Sequence, residues 1–294
     1  MKTAAHSRAR QETDRILDQD ISSIVAKGAE VLGIALPPEA MHTFILYYNF
    51  LESRGRNINL TAISGAEDVA RLHFLDSLAL LKFTQSISLQ PEYEHDALVC
   101  HVPSTTGANA FAGTYNRSSL SLSARNTGIR LIDIGSGAGF PGIPLKIAEP
   151  EFNLTLLDAT GKRAKFLTDL CAVLGVSAAI VHARAEEVSH RPDMRECFDI
   201  ALSRGVARLN VLCELCLPFV RVGGTFLAMK SADSDFEISE ALGAIETLGA
   251  NLEDTINYTI PDTSIIHRVV IIKKTSSTPG AYPRRFARIS NTPL

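Results

Sequence analysis

The chain has 294 residues, 46% of them hydrophobic and 21% charged, enough to bury a full α/β core with room for a small accessory region. Its net charge of −3 makes no case for nucleic acid by itself. No secretory apolar segment opens it, and no apolar run approaches membrane-spanning length. The five cysteines (Cys100, Cys171, Cys197, Cys213, Cys216) are scattered and odd in number, which reads as reduced core thiols rather than a disulfide framework. The expected compartment is therefore the cytoplasm, with no membrane partner.

Residues 1–11 read as a disordered basic start. From Glu12 to Leu32 apolar positions recur at helical spacing (Ile16, Ile21, Ile24, Val25, Leu32), and Gly33 suits a helix stop. Pro37-Pro38 then opens a second helix through Met41, Phe44, Ile45, Tyr48 and Leu51. A loop over Asn57 to Ile63 precedes a third helix from Glu67 to Phe83. Residues 12–90 thus form an N-terminal helical region. Residues 91–128 are different in kind, rich in Ser, Thr, Gly, Asn and Ala and without a sustained period. They read as an exposed insertion, with a substrate-contacting loop as the alternative.

Residues 129–274 alternate strands with helices. Strands are expected at Leu131 to Ile134, Asn153 to Leu157, Ala178 to Val181, Phe198 to Leu202, Gly224 to Met229, Asn251 to Thr259 and Arg268 to Ile272. Helices are expected at Pro144 to Ala148, Lys162 to Leu174, Leu209 to Val220 and Asp235 to Leu248. Such alternation predicts a doubly wound, mostly parallel sheet with ligands at the carboxyl ends of its strands. Residues 275–294 form a tail. From Ile265 onward the basic residues Arg268, Lys273, Lys274, Arg284, Arg285 and Arg288 stand without an acidic one.

The first strand runs into Asp133-Ile134-Gly135-Ser136-Gly137-Ala138-Gly139-Phe140-Pro141-Gly142, a strand–turn–helix that brings bare backbone to a nucleotide-like ligand. Glycines at every second position (Gly135, Gly137, Gly139) differ from the G-x-G-x-x-G spacing of dinucleotide binding. No Lys-Ser/Thr follows Gly142, so a phosphate-cradling loop is excluded. Asp133, just before the turn, would be a poor neighbour for a pyrophosphate. It suits a ligand carrying an ammonium and a sulfonium, S-adenosylmethionine. A dinucleotide or a purely structural turn are the alternatives.

Asp158 ends the second strand, where a carboxylate can accept hydrogen bonds from ribose hydroxyls; capping the next helix is the other use of an Asp there. Ala159 and Thr160 would flank the ribose. Ala185 and Glu186 follow the third strand, where an adenine amino group would lie, though a plain loop would look the same. Ser203-Arg204 follows the fourth strand, nearest the transferred methyl, and Arg204 reads as a ligand or RNA contact, with a salt bridge to Asp133 as the alternative. Arg204 is the one candidate for positioning the substrate; no other catalytic residue stands out and no metal set is expected.

Missing motifs narrow the chemistry. An Asn/Asp-Pro-Pro-aromatic motif for exocyclic amines is absent after the fourth strand, as is a Pro-Cys pair for attack at pyrimidine C5. Cys213-x-x-Cys216 is a single pair on an apolar helix and reads as core. Guanine N7 already carries an in-plane lone pair and no proton to remove, so its methylation can run on positioning alone. Nucleic-acid contact would come from Lys162, Arg163 and Lys165 on one helix and from Arg284 and Arg285 in the tail, with Tyr282 and Phe286 interleaved. A solvated cationic face is the plain alternative.

With these residues in view, the chain resembles the bacterial small-subunit ribosomal RNA guanine-N7 methyltransferases of the glucose-inhibited-division type. The resemblance is carried by Asn59-Leu60-Thr61, His73-Phe74-Leu75-Asp76-Ser77, Asp133 through Leu145, Leu157 through Arg163, Ser203-Arg204, Lys230, Tyr282-Pro283-Arg284 and Pro293-Leu294. It implies a Rossmann-like class I fold of seven strands with the last reversed, and adenosylmethionine contacts at Gly135, Phe140, Ala185, Glu186 and Arg204. It also implies a guanine in the decoding-region loop of 16S rRNA as substrate, with the small ribosomal subunit as partner. A monomer is expected. Gly205 and Ser231 depart from the family's usual Ala and Gly and remove no expected ligand. His73 and Asp76 match the family but suggest helix packing rather than chemistry. An NAD(P)-dependent oxidoreductase and a non-catalytic adenosylmethionine- or RNA-binding factor are the competing functions.

Overall fold

Apolar runs buried on both faces are what parallel strands require, and such runs form the middle of a seven-stranded sheet. The computed structural model describes residues 19–55, 60–84 and 128–294. The start expected over 1–11, the insertion expected over 91–128 (Gly128 apart) and the first part of the helix expected from Glu12 lie outside the described residues. The strands are β1 (Arg130–Ile134), β2 (Asn153–Asp158), β3 (Ala179–His182), β4 (Phe198–Arg204), β5 (Val220–Ser231), β6 (Ala250–Thr259) and β7 (Ile266–Lys274). Their spatial order is β3-β2-β1-β4-β5-β7-β6, with β1 to β5 parallel and β7 antiparallel to both of its neighbours. The expected reversal of the last strand is present.

Side chains alternate between two cores along each strand. Leu131, Leu156, Leu202 and Leu227 face one core, which also holds α1 (residues 19–31), α2 (Ala40–Arg54), α5 (Gly142–Ala148) and α6 (Gly161–Leu174). That core includes the segment α3, in which Ala66–Val69, a π-helical Ala70–Leu75 and Asp76–Leu78 run end to end before α4 (Leu81–Thr84). Ile132, Leu157, Ala201 and Phe226 face the other core, against α8 (Leu209–Cys216), α9 (Asp235–Thr247) and α10 (Phe286–Asn291). Cys171, Cys213 and Cys216 are free and buried, and burial pushes all three thiols up. Cys213 and Cys216 are core residues, as expected. Among the described residues no helix is long and apolar enough to cross a membrane.

Departures from the expected elements have local causes. The third helix is not continuous over 67–83, because the π-helical stretch widens it and a turn at Ala79-Leu80 breaks it. The helix from Leu209 stops at Cys216, since Pro218 has no N–H to continue it; a 3₁₀ turn, Leu217–Phe219, leads straight into β5 at Val220. The short helices α7 (Ala185–Val188) and α10 lack enough apolar period to be read from sequence.

Half of the six basic residues in the C-terminal stretch are neutralised within the fold. Arg268 bonds Asp235 at 2.6 Å, and the fully buried Lys274 bonds Glu196 at 3.1 Å. Arg284 grips the fully buried Glu214, with Nε to Oε1 at 2.8 Å and Nη2 to Oε2 at 2.6 Å, while its backbone N–H donates to Oε1 at 2.7 Å. Arg195 adds hydrogen bonds to the carbonyls of Thr278 and Tyr282. The Arg284 and Arg195 bonds fasten the tail to α8 and to the segment before β4 rather than leaving it as a free arm. Glu214→Ala would leave the half-buried Arg284 without its carboxylate and is expected to cost about 1–3 kcal/mol in urea unfolding. A loss below about 1 kcal/mol would mean that the Arg284–Glu214 pair does not hold the tail.

Candidate active site

A doubly wound sheet opens a crevice where the chain leaves adjacent strands in opposite directions. Here that point lies between β1 and β4, with β2 and β3 on one side and β5 to β7 on the other. The glycine turn occupies it. Gly135 has φ +75°, and a Cβ on it would meet Val206 Cγ2 at 2.5 Å. Gly139 has φ +101°, and a Cβ there would meet Ile143 Cδ1 at 2.5 Å and the Tyr47 hydroxyl at 2.7 Å. Neither conformation nor contact admits a side chain.

The turn is held from beneath and from the side. Asp133 Oδ2 accepts the Gly142 N–H at 2.9 Å, at the start of α5. Its Oδ1 is buried without a partner among the described residues, and burial lifts the carboxyl to about 7 against the Gly142 N–H and the Arg204 charge. Tyr47 donates to Ala138 O at 2.7 Å. Asp158, at the end of β2, accepts the Gly137 N–H on Oδ2 at 3.1 Å and the Thr160 N–H on Oδ1 at 2.8 Å. It does not cap α6, whose N-cap is Thr160. It ties β2 to the glycine turn.

Above these groups lies a cleft of about 510 Å³, of a size that suits a nucleotide-like ligand. Its walls bring together Gly135, Gly137, Phe140, Asp158, Ala159, Thr160, Arg163 and Arg204, all expected from sequence, with Gly205 and Val206 beside them. Ala185 and Glu186 do not line it; they stand on α7, one strand beyond Asp158, whose register partner on β3 is His182. Gly139 lies behind the wall. The N-terminal helical region adds Leu60, Thr61 and His73, which the sequence did not single out as site residues.

Arg204 is not paired with Asp133. Its Nη1 donates to Asp76 Oδ2 at 2.8 Å and to Leu72 O at 3.2 Å, and its Nη2 donates to His73 Nδ1 at 3.0 Å. Asp76, 1% exposed, also accepts from the Tyr258 hydroxyl and from His267 Nδ1, each at 2.7 Å on Oδ1. Burial pushes its carboxyl up, but the His267 hydrogen bond, the Arg204 charge and Tyr258 together hold it below the usual range. The Asp76 hydrogen bond raises His267 in turn. His73 is lowered to about 3, first by burial and then by the Arg204 charge, so it is neutral.

Helix packing was the role expected of His73 and Asp76. The structure instead places both in the site, His73 on the cleft wall and Asp76 behind Arg204. Their sequence signal was a His and an Asp three residues apart among the apolar positions Leu72, Phe74, Leu75 and Leu78. Phe140 is sandwiched between Tyr47 (centroids 5.1 Å apart, 9°) and His73 (4.4 Å, 19°), with Arg204 Cζ 5.2 Å from its ring centroid.

Among the residues expected to meet RNA, Lys162 and Arg285 are exposed, Lys165 pairs with Asp169 at 3.0 Å, and Arg163 stands 3.7 Å from Asp158 at the cleft edge. Arg284 is withdrawn from that set, because Glu214 occupies its guanidinium.

A seven-stranded sheet with β7 reversed, carrying this glycine turn at its switch point and an acid at the end of β2, is a Rossmann-like class I adenosylmethionine-dependent methyltransferase. The family profile described as rRNA small subunit methyltransferase G matches residues 116–265. Relatives named ribosomal RNA small subunit methyltransferase G agree along nearly their whole length. The one from Clostridium beijerinckii is 36% identical over 92% of this chain and 98% of its own. The one from Caldanaerobacter subterraneus subsp. tengcongensis is 37% identical over 95% of this chain and 100% of its own. The chain belongs to the rRNA small subunit methyltransferase G family.

Asp133 gives the site a pH signature. Its carboxyl titrates near 7 when folded and near ~3.9 when unfolded. Its contribution to stability is therefore complete below about pH 4 and is lost as pH rises through 7. Urea unfolding from about pH 4 to 8 should show the wild type losing stability relative to Asp133→Asn as pH rises. A difference that does not change with pH would contradict this.

Proposed function

We propose that this chain transfers the methyl group of S-adenosylmethionine to N7 of a guanine in the decoding-region loop of 16S rRNA, acting on the small ribosomal subunit in the cytoplasm. The observation that carries the reading is a cleft whose titratable walls, among the described residues, offer no free base. His73 Nδ1 is occupied by an Arg204 N–H, and the imidazole titrates near 3. Both Asp158 oxygens accept backbone N–H groups. A reaction that had to remove a proton would be poorly served here. Guanine N7 gives its lone pair to the incoming methyl and carries no proton to remove, so orientation is the main demand, and orientation can be worth ~7–11 kcal/mol of barrier.

Adenosylmethionine supplies an electrophilic methyl on a sulfonium. The residues present fit it: glycine backbone at Gly135 and Gly137 lies open on the cleft, and a Cβ on Gly137 would meet nothing nearer than Gly135 O at 3.8 Å. Asp158, with Ala159 and Thr160, would hold the ribose, while Ala185 and Glu186 at the exit of β3 would reach the adenine. Phe140 and Arg204 would border the methionine end, and Arg204 would also orient the base. Lys162, Arg163, Lys165 and Arg285 would contact RNA phosphates, a set that the family assignment and their exposure support. The ribosomal substrate is what argues for a cytoplasmic location.

The test is to incubate the protein with labelled adenosylmethionine and unmodified small subunits, then digest the rRNA and identify the labelled nucleoside. Label in 7-methylguanosine at one site is expected. Label in another nucleoside would overturn the base assignment, and cofactor binding without transfer would leave a binding factor. Asp158→Ala should weaken cofactor affinity by roughly 10-fold or more, as expected for a lost charged hydrogen-bond acceptor.

A further inference from the structure

The hydrogen bonds around His73 fix the direction of a proton chain that ends in the cleft. A guanidinium can only donate, so the Arg204 Nη2–His73 Nδ1 contact at 3.0 Å requires Nδ1 to be the acceptor. With the ring neutral, its single proton is on Nε2. The 2.7 Å contact from Nε2 to Thr61 Oγ1 is then a bond donated by His73. Thr61 Oγ1 also accepts the Ile63 N–H at 3.0 Å. Both lone pairs of the Thr61 hydroxyl are thereby filled, so its own proton must point elsewhere. No described residue accepts it, and Thr61 lines the cleft.

Thr61 is therefore a hydrogen-bond donor that cannot turn into an acceptor, because doing so would set His73 Nδ1–H against an Arg204 N–H. It stands on the Arg204 and β4 side of the cleft. The other side already carries the glycine turn and Asp158, which suit the cofactor. An oxygen acceptor on an incoming base is what this donor fits. Resting on the methyl-transfer reading above, we propose that Thr61 is a specificity-determining residue, donating its hydroxyl proton to O6 of the substrate guanine. O6 lies beside N7 on the same edge of the purine, so one bond both orients the nucleophile and rejects adenine, whose amino group at that place is itself a donor.

The test is a cycle on enzyme and substrate together, with small subunits reconstituted on 16S rRNA carrying either guanine or 2-aminopurine, which keeps N7 but lacks O6, at the methylated position. The wild type should lose roughly 10- to 100-fold in kcat/KM on 2-aminopurine, the scale of a hydrogen bond left unmade in a desolvated site. Thr61→Val should fall by a similar factor on guanine, and its guanine-to-2-aminopurine ratio should collapse toward 1. Thr61→Ser should restore the ratio. Adenosylmethionine affinity, read by calorimetry, should be unchanged in both variants.

If Thr61→Val lowers both substrates equally and keeps the ratio, Thr61 is only structural and the proposal fails. A weakened cofactor affinity with an unchanged ratio would move the acceptor to the cofactor's carboxylate and overturn the base assignment. A wild type that methylates no guanine N7 would instead refute the function itself.

Discussion

One buried carboxylate joins three separate parts of the chain. Asp76 comes from the N-terminal helical region, Arg204 from the end of β4, and Tyr258 and His267 from the β6–β7 pair. An ion pair this deep gains little net stability, because removing both charges from water offsets most of their attraction. Its worth is geometric. Arg204 has Asp76, Leu72 O and His73 around it, which leaves its guanidinium one orientation at the cleft wall. The helical region is thereby locked to the sheet at the point where substrate must approach.

The same closure is made in apolar terms by Phe140. Its backbone belongs to the glycine turn, while its ring is stacked between Tyr47 of α2 and His73 of α3. The cleft is therefore a joint product. The sheet supplies the glycine turn, Asp158 and Arg204, and the helical region supplies Thr61 and His73, so neither part holds a complete site. The π-helical stretch over Ala70–Leu75 fits this picture, since a widened turn exposes Leu72 O to Arg204 and carries His73 to the wall.

Most of the sheet was legible in the sequence because buried parallel strands are short apolar runs with sharp ends. Gly175 marked the end of α6 through its left-handed φ of 65°, and the glycine turn marked the cleft itself. What sequence could not show was pairing at a distance. Asp76 and Arg204 are 128 positions apart, and nothing in the helix containing Asp76 announces a cation on the far side of the fold. The basic stretch after Ile265 looked like a charged surface for the same reason. The acids that neutralise Arg268, Lys274 and Arg284 come from Asp235, Glu196 and Glu214, all earlier in the chain. Local pattern records which residues are buried, whereas the partner of a buried charge is a property of the fold.

The most direct test of this joint cleft is a thermodynamic cycle on Asp76→Asn and Arg204→Met, read as kcat/KM for methyl transfer to unmodified small subunits. If Asp76 acts by fixing Arg204, each single change lowers the rate substantially and the double variant is little worse than the poorer single, with a coupling of about 1–3 kcal/mol. Losses that add to within about 0.5 kcal/mol would show that the two residues act independently and would contradict the account.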